Sequence, residues 1–528
     1  MLTLPTLIDI PEAERTPLVS SLLELLHQQS ELIGQLKDAI AKLKGNPPRP
    51  KIKPSGLAKQ DGSGSRKKPK KRRRSAKRHK KEALQIDETI TVPAVDLPSH
   101  CEFKGYKRFV VQGIKIHSYN VEYLLERWRL PDGTYQDASL PKGVSGHFSA
   151  ELICFILYQY YQCHVTQPLL REQLLEYGID VSAGQLSRLL IDGNESLHAE
   201  KAQLLSTALA ISPYVQVDDT GARHKGKNGV CTHMGNELFA WFKSTRFKNR
   251  INFLELLNAA NTAYSVTEVG LDYMIQQGLP APPRELLTEH RQKQFSDKAC
   301  WEAHLADLGI TQTRHRRIAT EGALIGNLFA DGLNPELVIL SDDAGQFNVL
   351  LHALCWVHAE RLIYKLVGFN DQQREAVDSV RDQIWKLYAR LKAYKNKPNK
   401  TKKRALENRF DKIFQQRTCF ETLNSALKRL HKNRAELLLV LDRPEIPLHN
   451  NASESDIREQ VKRRKISGGT RSDLGQQSRD TFISVKKTCR KLGISFWAYL
   501  LDRVSMTNQI KPLPDLMREK ALTLPGYL

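Results

Sequence analysis

Cysteine is scarce in this chain: there are eight in 528 residues, at positions 101, 154, 163, 231, 300, 355, 419 and 489, and no two form a C-x-x-C pair. That excludes a disulfide framework and suits a reducing compartment. Long apolar runs are missing too. The longest, from Leu152 to Tyr161, is too short and too rich in tyrosine to span a bilayer, so no membrane partner is expected. The opening MLTLPTLIDIPEAERT lacks a basic start followed by an apolar core, so a signal peptide is not expected either, and the expected location is the cytoplasm. Acidic residues are in deficit, 58 against 80 Lys plus Arg, which leaves a net charge of +22. With 41% hydrophobic and 26% charged residues, the chain is too apolar to be wholly disordered. At roughly 100–200 residues per domain, the length suggests about three or four folded units.

The positive charge is concentrated. Residues 1–81 hold 20 basic and 7 acidic side chains, and residues 66–81 alone contain twelve Lys or Arg, Arg72, Arg73 and Arg74 among them. Like charges at that density repel, so the segment should be disordered when free and serve as a sequence-blind phosphate-binding arm. The bland alternative is a solubilising or localisation segment. Ahead of it, Leu18, Leu25, Leu32 and Ala39 recur every seven residues, with Leu22, Gln29, Leu36 and Leu43 interleaved. This is the spacing of a coiled-coil seam, with Gln29 as a register-fixing polar residue, and it predicts a homodimer or higher oligomer.

Further along, the apolar spacing predicts helices over 147–192. Leu169, Leu170, Leu174 and Leu175 mark one face, Gly178 ends that helix, and Ser182 opens a capping box with Gln185. Two short helices joined around a glycine resemble a helix-turn-helix, whose second helix, with Gln185 and Arg188, would face a DNA groove. After residue 210 the pattern turns α/β. Tyr214–Val217 is a strand running into Asp218, and Leu238–Phe242 is a second. Ile251–Leu257 is a third strand or the start of a helix. Leu337–Leu340 has the continuous apolar character of a buried parallel strand and ends at Asp342. Residues 265–316 are polar and irregular, and 370–440 are helical with a break at 395–401.

Asp218 and Asp342 thus stand where apolar strands end, the edge at which open α/β sheets place ligands. Two such carboxylates could share Mg²⁺, which prefers oxygen ligands, and a third, Glu454, falls in the first turn of a helix beginning near Asn451. Each has a dull alternative as a turn or capping residue. Asp219 competes with Asp218, and Asp343 with Asp342.

At this point the residues resemble the insertion-sequence-66 family of bacterial transposases. Val217-Asp-Asp-Thr220 stands at the family's first acidic motif and Leu340-Ser-Asp342 at its second. Cys355-Trp-Val-His358-Ala-Glu-Arg361 is similar to Cys-Trp-x-His-x-x-Arg. Asn450-Asn-Ala-Ser-Glu454-Ser-Asp-Ile-Arg458 is similar to Asn-Asn-x-x-Glu-x-x-x-Arg, with Lys465 near the Arg-Lys that follows. The resemblance implies an α/β fold with a ribonuclease-H-like mixed sheet, interrupted by a large helical insertion and preceded by the coiled coil and a helical DNA-binding region. It implies that Asp218, Asp342 and Glu454 hold two Mg²⁺ (or Mn²⁺) ions, and that His358, Arg361, Arg458 and Lys465 contact DNA. The partners implied are double-stranded DNA, as terminal inverted repeats and as target, and accessory proteins of the element. The setting implied is the bacterial nucleoid. The rival expectation is a non-catalytic DNA-binding protein derived from such an enzyme. The family's cysteine-pair zinc module has no counterpart here, since Cys101 lacks a C-x-x-C partner, and no zinc is expected there. For Cys355 and His358, packing or phosphate contact is expected over half of a zinc site, and Trp356 is expected in a core.

The expected division is a coiled-coil helix at 14–45, a basic disordered linker at 46–90, and a small N-terminal domain of unclear fold at 91–146. A helix-turn-helix-like region follows at 147–210. The catalytic domain occupies 211–369 and 441–510 around a helical insertion at 370–440, and a tail completes the chain at 511–528. If the leucine seam holds the oligomer, deleting residues 1–46 should leave a monomer in sedimentation; an unchanged oligomer would remove that role.

Overall fold

In the computed structural model, a central five-stranded sheet grows from the apolar half of one strand. Residues 86–95, 101–141, 146–258, 261, 263–524 and 526–527 are described; the heptads at 14–45 and Arg72, Arg73 and Arg74 lie outside the described residues. Residues Met1–Cys101 and Glu102–Leu528 form two separate units. Within the first, residues 86–95 contain no helix or strand.

In the second unit, residues 102–126 carry no regular element, and a short exposed hairpin pairs Arg127–Arg129 with Tyr135–Asp137. Four helices follow: α1 (Ala150–Tyr161), α2 (Gln167–Glu176), α3 (Ala183–Ile191) and α4 (Glu195–Ile211). The expected capping box is present at α3: Ser182 Oγ accepts from Gln185 N–H, and Gln185 Oε1 accepts from Ser182 N–H. Gly178, at φ +75°, makes the left-handed turn between α2 and α3 that a side chain would resist.

Strand β1 (Tyr214–His224) pairs antiparallel with β2 (Lys227–Gly235), which pairs antiparallel with β3 (Ala240–Thr245). On its other side β1 pairs in parallel with β4 (Val338–Ser341), and β4 in parallel with β5 (Leu351–Leu354), giving the order β3-β2-β1-β4-β5. Between β3 and β4 lie α5 (Arg250–Leu257), α6 (Glu268–Gln276), α7 (Ala281–Glu289), α8 (Lys298–Asp307) and α9 (Thr313–Ala330). After β5 come α10 (Trp356–Tyr364) and then the long α11 (Asp371–Asn396), α12 (Lys400–Phe414), α13 (Glu421–Lys432) and α14 (Arg434–Leu438). The chain ends in α15 (Asn451–Ser467), α16 (Asp473–Leu492), α17 (Phe496–Val504) and α18 (Leu513–Ala521).

The break expected at 395–401 is the junction of α11 and α12. These helices and their neighbours bury a core of their own, with Leu387, Leu391, Phe410 and Leu427, and Trp356 sits in it. Trp356 is 1% exposed and donates from Nε1 to Leu437 O at 2.9 Å, so its indole is satisfied inside the protein. The main core is shared more widely. Leu157, Leu170, Leu186 and Leu204 from the first four helices join Val215, Phe482, Tyr499 and Met517 in one cluster. The helix-turn-helix pair is therefore packed into the sheet domain.

Several expectations need correcting. Of the two readings open for Ile251–Leu257 the helix is the one found, because Asn249 Oδ1 accepts from Asn252 N–H and caps it. The second strand begins at Ala240, two residues later than its apolar run suggested. The strands at 227–235 and 351–354 had no clean signal, one having a polar start and the other only four residues. Residues 265–316 are mostly helical; their helices are short, but Met274, Leu287 and Trp301 fix them to the core. The tail at 511–528 contains α18, whose Leu513, Met517 and Ala521 are buried. Within this insertion α6 and α9 meet through glycines: a Cβ on Gly322 would fall 2.7 Å from Gly270 O. Gly322→Ala should therefore push the two helices apart and cost about 1–3 kcal/mol in denaturant unfolding. No loss would mean the contact is looser than drawn.

Candidate active site

The site grows from three chain segments that reach one end of β1. The strand does not end at Asp218, as its apolar run suggested. It continues to His224, paired with β2 and bridged at its tip to Thr470, whereas its parallel pairing with β4 runs through Gln216↔Leu340. Asp218 therefore lies where the third strand drops away and a groove can form. Asp342 follows the last residue of β4, close enough for its charge to act on Asp218. Across the antiparallel pair Asp218 faces His233, and directly opposed residues share a sheet face. His233 Nδ1 bonds Ser453 Oγ at 2.6 Å, so that face looks onto α15. Glu454 is the next residue on α15.

Asn450 fixes where α15 starts. Its Nδ2 donates to Val217 O at 2.8 Å, and its backbone N–H donates to Cys355 Sγ at 3.2 Å. Ser453 N–H adds a bond to Gln216 Oε1 at 3.3 Å. Asn450 is itself the N-cap residue, with no side-chain bond to its own helix, so Glu454 is free of any capping duty. Instead, Glu454 Oε1 lies 3.6 Å from His358 Nε2 and 3.9 Å from Arg361 Nη2. The Cys-Trp-x-His-x-x-Arg and Asn-Asn-x-x-Glu motifs, almost a hundred residues apart, are in direct contact. Cys355 serves that contact as an acceptor, which is its packing role.

The competing carboxylates point elsewhere. Asp219 accepts from Lys248 Nζ at 2.8 Å and from Gln346 Nε2 at 3.0 Å. Asp343 is paired with the Arg429 guanidinium of α13 and with Asn433 Nδ2 at 3.3 Å. Among the described residues Asp218 has no cationic partner, and its Oδ1 accepts from Asp219 N–H at 2.8 Å. Burial pushes its carboxyl up to about 7. The Asp219 N–H works against that shift, and the charges of Asp342, Asp219 and Glu454 add to it. Burial also pushes His358 down, with Arg361 acting in the same direction.

The other expected contacts vary. Arg458 and Lys465 are exposed on α15. Arg188 is exposed on α3, whereas Gln185 is committed to the capping box. Sequence reasoning missed Asn450 as the joint, Lys248 and Arg429 as partners of the spare carboxylates, and His233 as the residue facing Asp218. The Asn-Asn pair was visible, but it looked like a cap.

Among the described residues, no three His, Cys, Asp or Glu side chains stand close enough to enclose one metal ion. The donor set nevertheless suits a hard cation. Glu454 Oε1 and Asn450 Oδ1 are buried oxygens without a hydrogen-bond partner, and Asp218 carries unbalanced negative charge.

An α/β sheet that gathers carboxylates from distant segments inside a basic chain has the makings of a DNA-processing enzyme. Residues 318–478 match the family described as Transposase IS66 family. The chain is also 43% identical over 323 residues to the uncharacterized protein y4jO of Sinorhizobium fredii (strain NBRC 101917 / NGR234), a match covering 60% of this chain and 100% of that relative. The chain belongs to the IS66 transposase family. The family match takes in Asp342, His358, Arg361, Glu454, Arg458 and Lys465; Asp218 lies before it. No described helix is long and apolar enough to cross a membrane.

Because the folded chain holds the Asp218 proton more tightly than the unfolded chain, folding binds protons between the ordinary 3.8 and about 7. Stability should fall as pH rises through that window. Asp218→Asn should then raise the unfolding free energy at pH 8 by about 1–4 kcal/mol, with little gain at pH 3.5. Equal gains at both pH values would show that the carboxyl is not perturbed.

Proposed function

We propose that the chain is a DNA transposase that cuts at the terminal inverted repeats of its element and joins the freed 3′-hydroxyl to target DNA. Asp218, Asp342 and Glu454 are its catalytic carboxylates, and they hold two Mg²⁺ or Mn²⁺ ions. The fold is ribonuclease-H-like: the order β3-β2-β1-β4-β5, with only β2 antiparallel to its neighbours, supports that assignment. The observation that carries the proposal is the bond from Asn450 Nδ2 to Val217 O at 2.8 Å, which sets the helix of Glu454 against the strand of Asp218; Asp342 and Glu454, 124 and 236 residues away in sequence, add their repulsion to the burial that raises the Asp218 carboxyl. Such repulsion in a half-buried groove is a standing cost unless a cation is meant to lie there.

When bound, the divalent ions activate the attacking water or 3′-hydroxyl and stabilise the leaving oxygen. The protein's own groups orient the substrate. His358 and Arg361 brace Glu454 from α10. Arg361, Arg458 and Lys465 offer charge to DNA phosphates on both sides of the carboxylates. Lys248 and Arg429 neutralise Asp219 and Asp343, and Arg361 lies beside Glu454, which leaves Asp218 and Asp342 as the carboxylates without a cationic partner among the described residues. No nucleophilic Ser, Cys or Tyr is required, because water and the DNA 3′-hydroxyl are the nucleophiles. The exposed Arg188 in the last turn of α3 would add a DNA contact, and dimerisation would bring two ends together.

The rival, a DNA-binding protein without catalysis, draws on the lack of a three-ligand cluster among the described residues. The test is cleavage of duplex DNA bearing the inverted repeats that flank the gene, with Mg²⁺. Asp218→Asn, Asp342→Asn and Glu454→Gln should each lower the rate by at least about a hundredfold to a thousandfold while DNA binding persists. Unchanged cleavage in one variant removes that residue from the site, and no cleavage by the parent favours the rival.

A further inference from the structure

The loop that follows α10 packs Leu366 against the helical core but leaves Val367 and Phe369 in water. On α10 and its C-cap, His358, Arg361 and Lys365 recur at i, i+3 and i+7, a single helical face that starts at Glu454. The chain then turns through residues 364–370 into α11. Tyr364 is 61% exposed, Val367 64% and Phe369 85%.

This turn is held by its own bonds. Phe369 N–H donates to Gln373 Oε1 at 2.9 Å, and Asn370 Oδ1 accepts from Gln373 N–H at 2.8 Å to cap α11. At Gly368 there is no room for a side chain, since a Cβ would meet Arg374 N at 2.8 Å. The backbone is fixed from behind while Val367 and Phe369 project outward. Burying such side chains is favourable, so a fixed loop that exposes them has a use for them.

The size of the patch and the charge around it identify the occupant. Two or three side chains cover about 500 Å² on one side, below the roughly 800 Å² per partner of a standard protein interface. A base step needs only one or two apolar side chains to be wedged open. The exposed cation Lys365 and the half-buried Arg361 line the approach, which suits a polyanion. From His358 to Phe369 the chain covers about 10–20 Å at helical rise plus one turn, or about three to six base steps.

We propose that Val367 and Phe369 form a wedge that opens the base stack of duplex DNA a few steps from the scissile phosphate, with Phe369 stacking on the exposed base. The proposal rests on the transposase reading. It adds a substrate-distorting element carried by the α10–α11 loop, outside the motifs that hold the carboxylates. Distortion at that point would let the strand to be cut bend into the groove beside Asp218.

The test uses the full chain and duplexes bearing the flanking inverted repeats, with 2-aminopurine placed in turn at the ten positions around the cleavage site. With Ca²⁺, binding should brighten the probe at one or two neighbouring positions. Phe369→Ala should abolish that signal, and Phe369→Trp should keep it. With Mg²⁺, Phe369→Ala should cut the intact duplex about tenfold more slowly and regain the parent rate on a duplex with an abasic site at the brightened position. Equal slowing on both duplexes, or cleavage by the parent with no brightening anywhere, would overturn the wedge and leave the transposase reading intact. Brightening without cleavage would keep the wedge and remove the catalytic reading. If the duplex is not bound at all, both fall.

Discussion

Asn450 is the joint on which the candidate site depends. One side chain and one backbone N–H bind it to Val217 on the central strand and to Cys355 at the head of α10. The three segments that carry Asp218, His358 and Glu454 are thereby pinned within one residue, or one helical turn, of a shared buried point. Asn450 is 1% exposed, so these bonds act without competition from water. Were the amide lost, Val217 O would lose this buried donor while the backbone bond to Cys355 remained, and α15 would be held to β1 less firmly.

The electrostatics follow from that joint. Burial raises the proton affinity of Asp218, and the neighbouring carboxylates add to the effect. The surrounding cations are not spread evenly over the acids. Lys248 and Arg429 take the spare members of each Asp pair, and Arg361 with His358 takes Glu454. Arg429 belongs to the helical insertion, so the insertion's own core is coupled to the loop that carries Asp342. The insertion and the sheet thus share the task of presenting one acidic groove in a basic protein.

Much of this was legible in the sequence. Continuous apolar runs gave β1 and β4, because buried parallel strands need no alternation. The Ser182–Gln185 box gave α3, because it is a purely local arrangement. The acidic positions came with their motifs. What was not legible depended on distant partners. Polar starts hid β2, and the four residues of β5 are too few for a pattern; both strands exist because β1 and β4 offer them edges. The polar stretch 265–316 folds into helices because Trp301 and Met274 reach a core built elsewhere. The choice within Asp218/Asp219 and Asp342/Asp343 could not be made from strand alternation. It turns on Lys248, Gln346, Arg429 and Asn433, which reach these pairs through the fold.

The central claim is that Asp218, Asp342 and Glu454 together form one cation site. Crystals of the full chain grown with Mn²⁺ and measured at the manganese absorption edge would test it most directly. The account predicts anomalous density touching Asp218 and shared with Asp342 and Glu454, while Asp219 and Asp343 keep their lysine and arginine partners. Manganese bound instead at Asp219 or Asp343, or none near β1 at millimolar concentration, would contradict it.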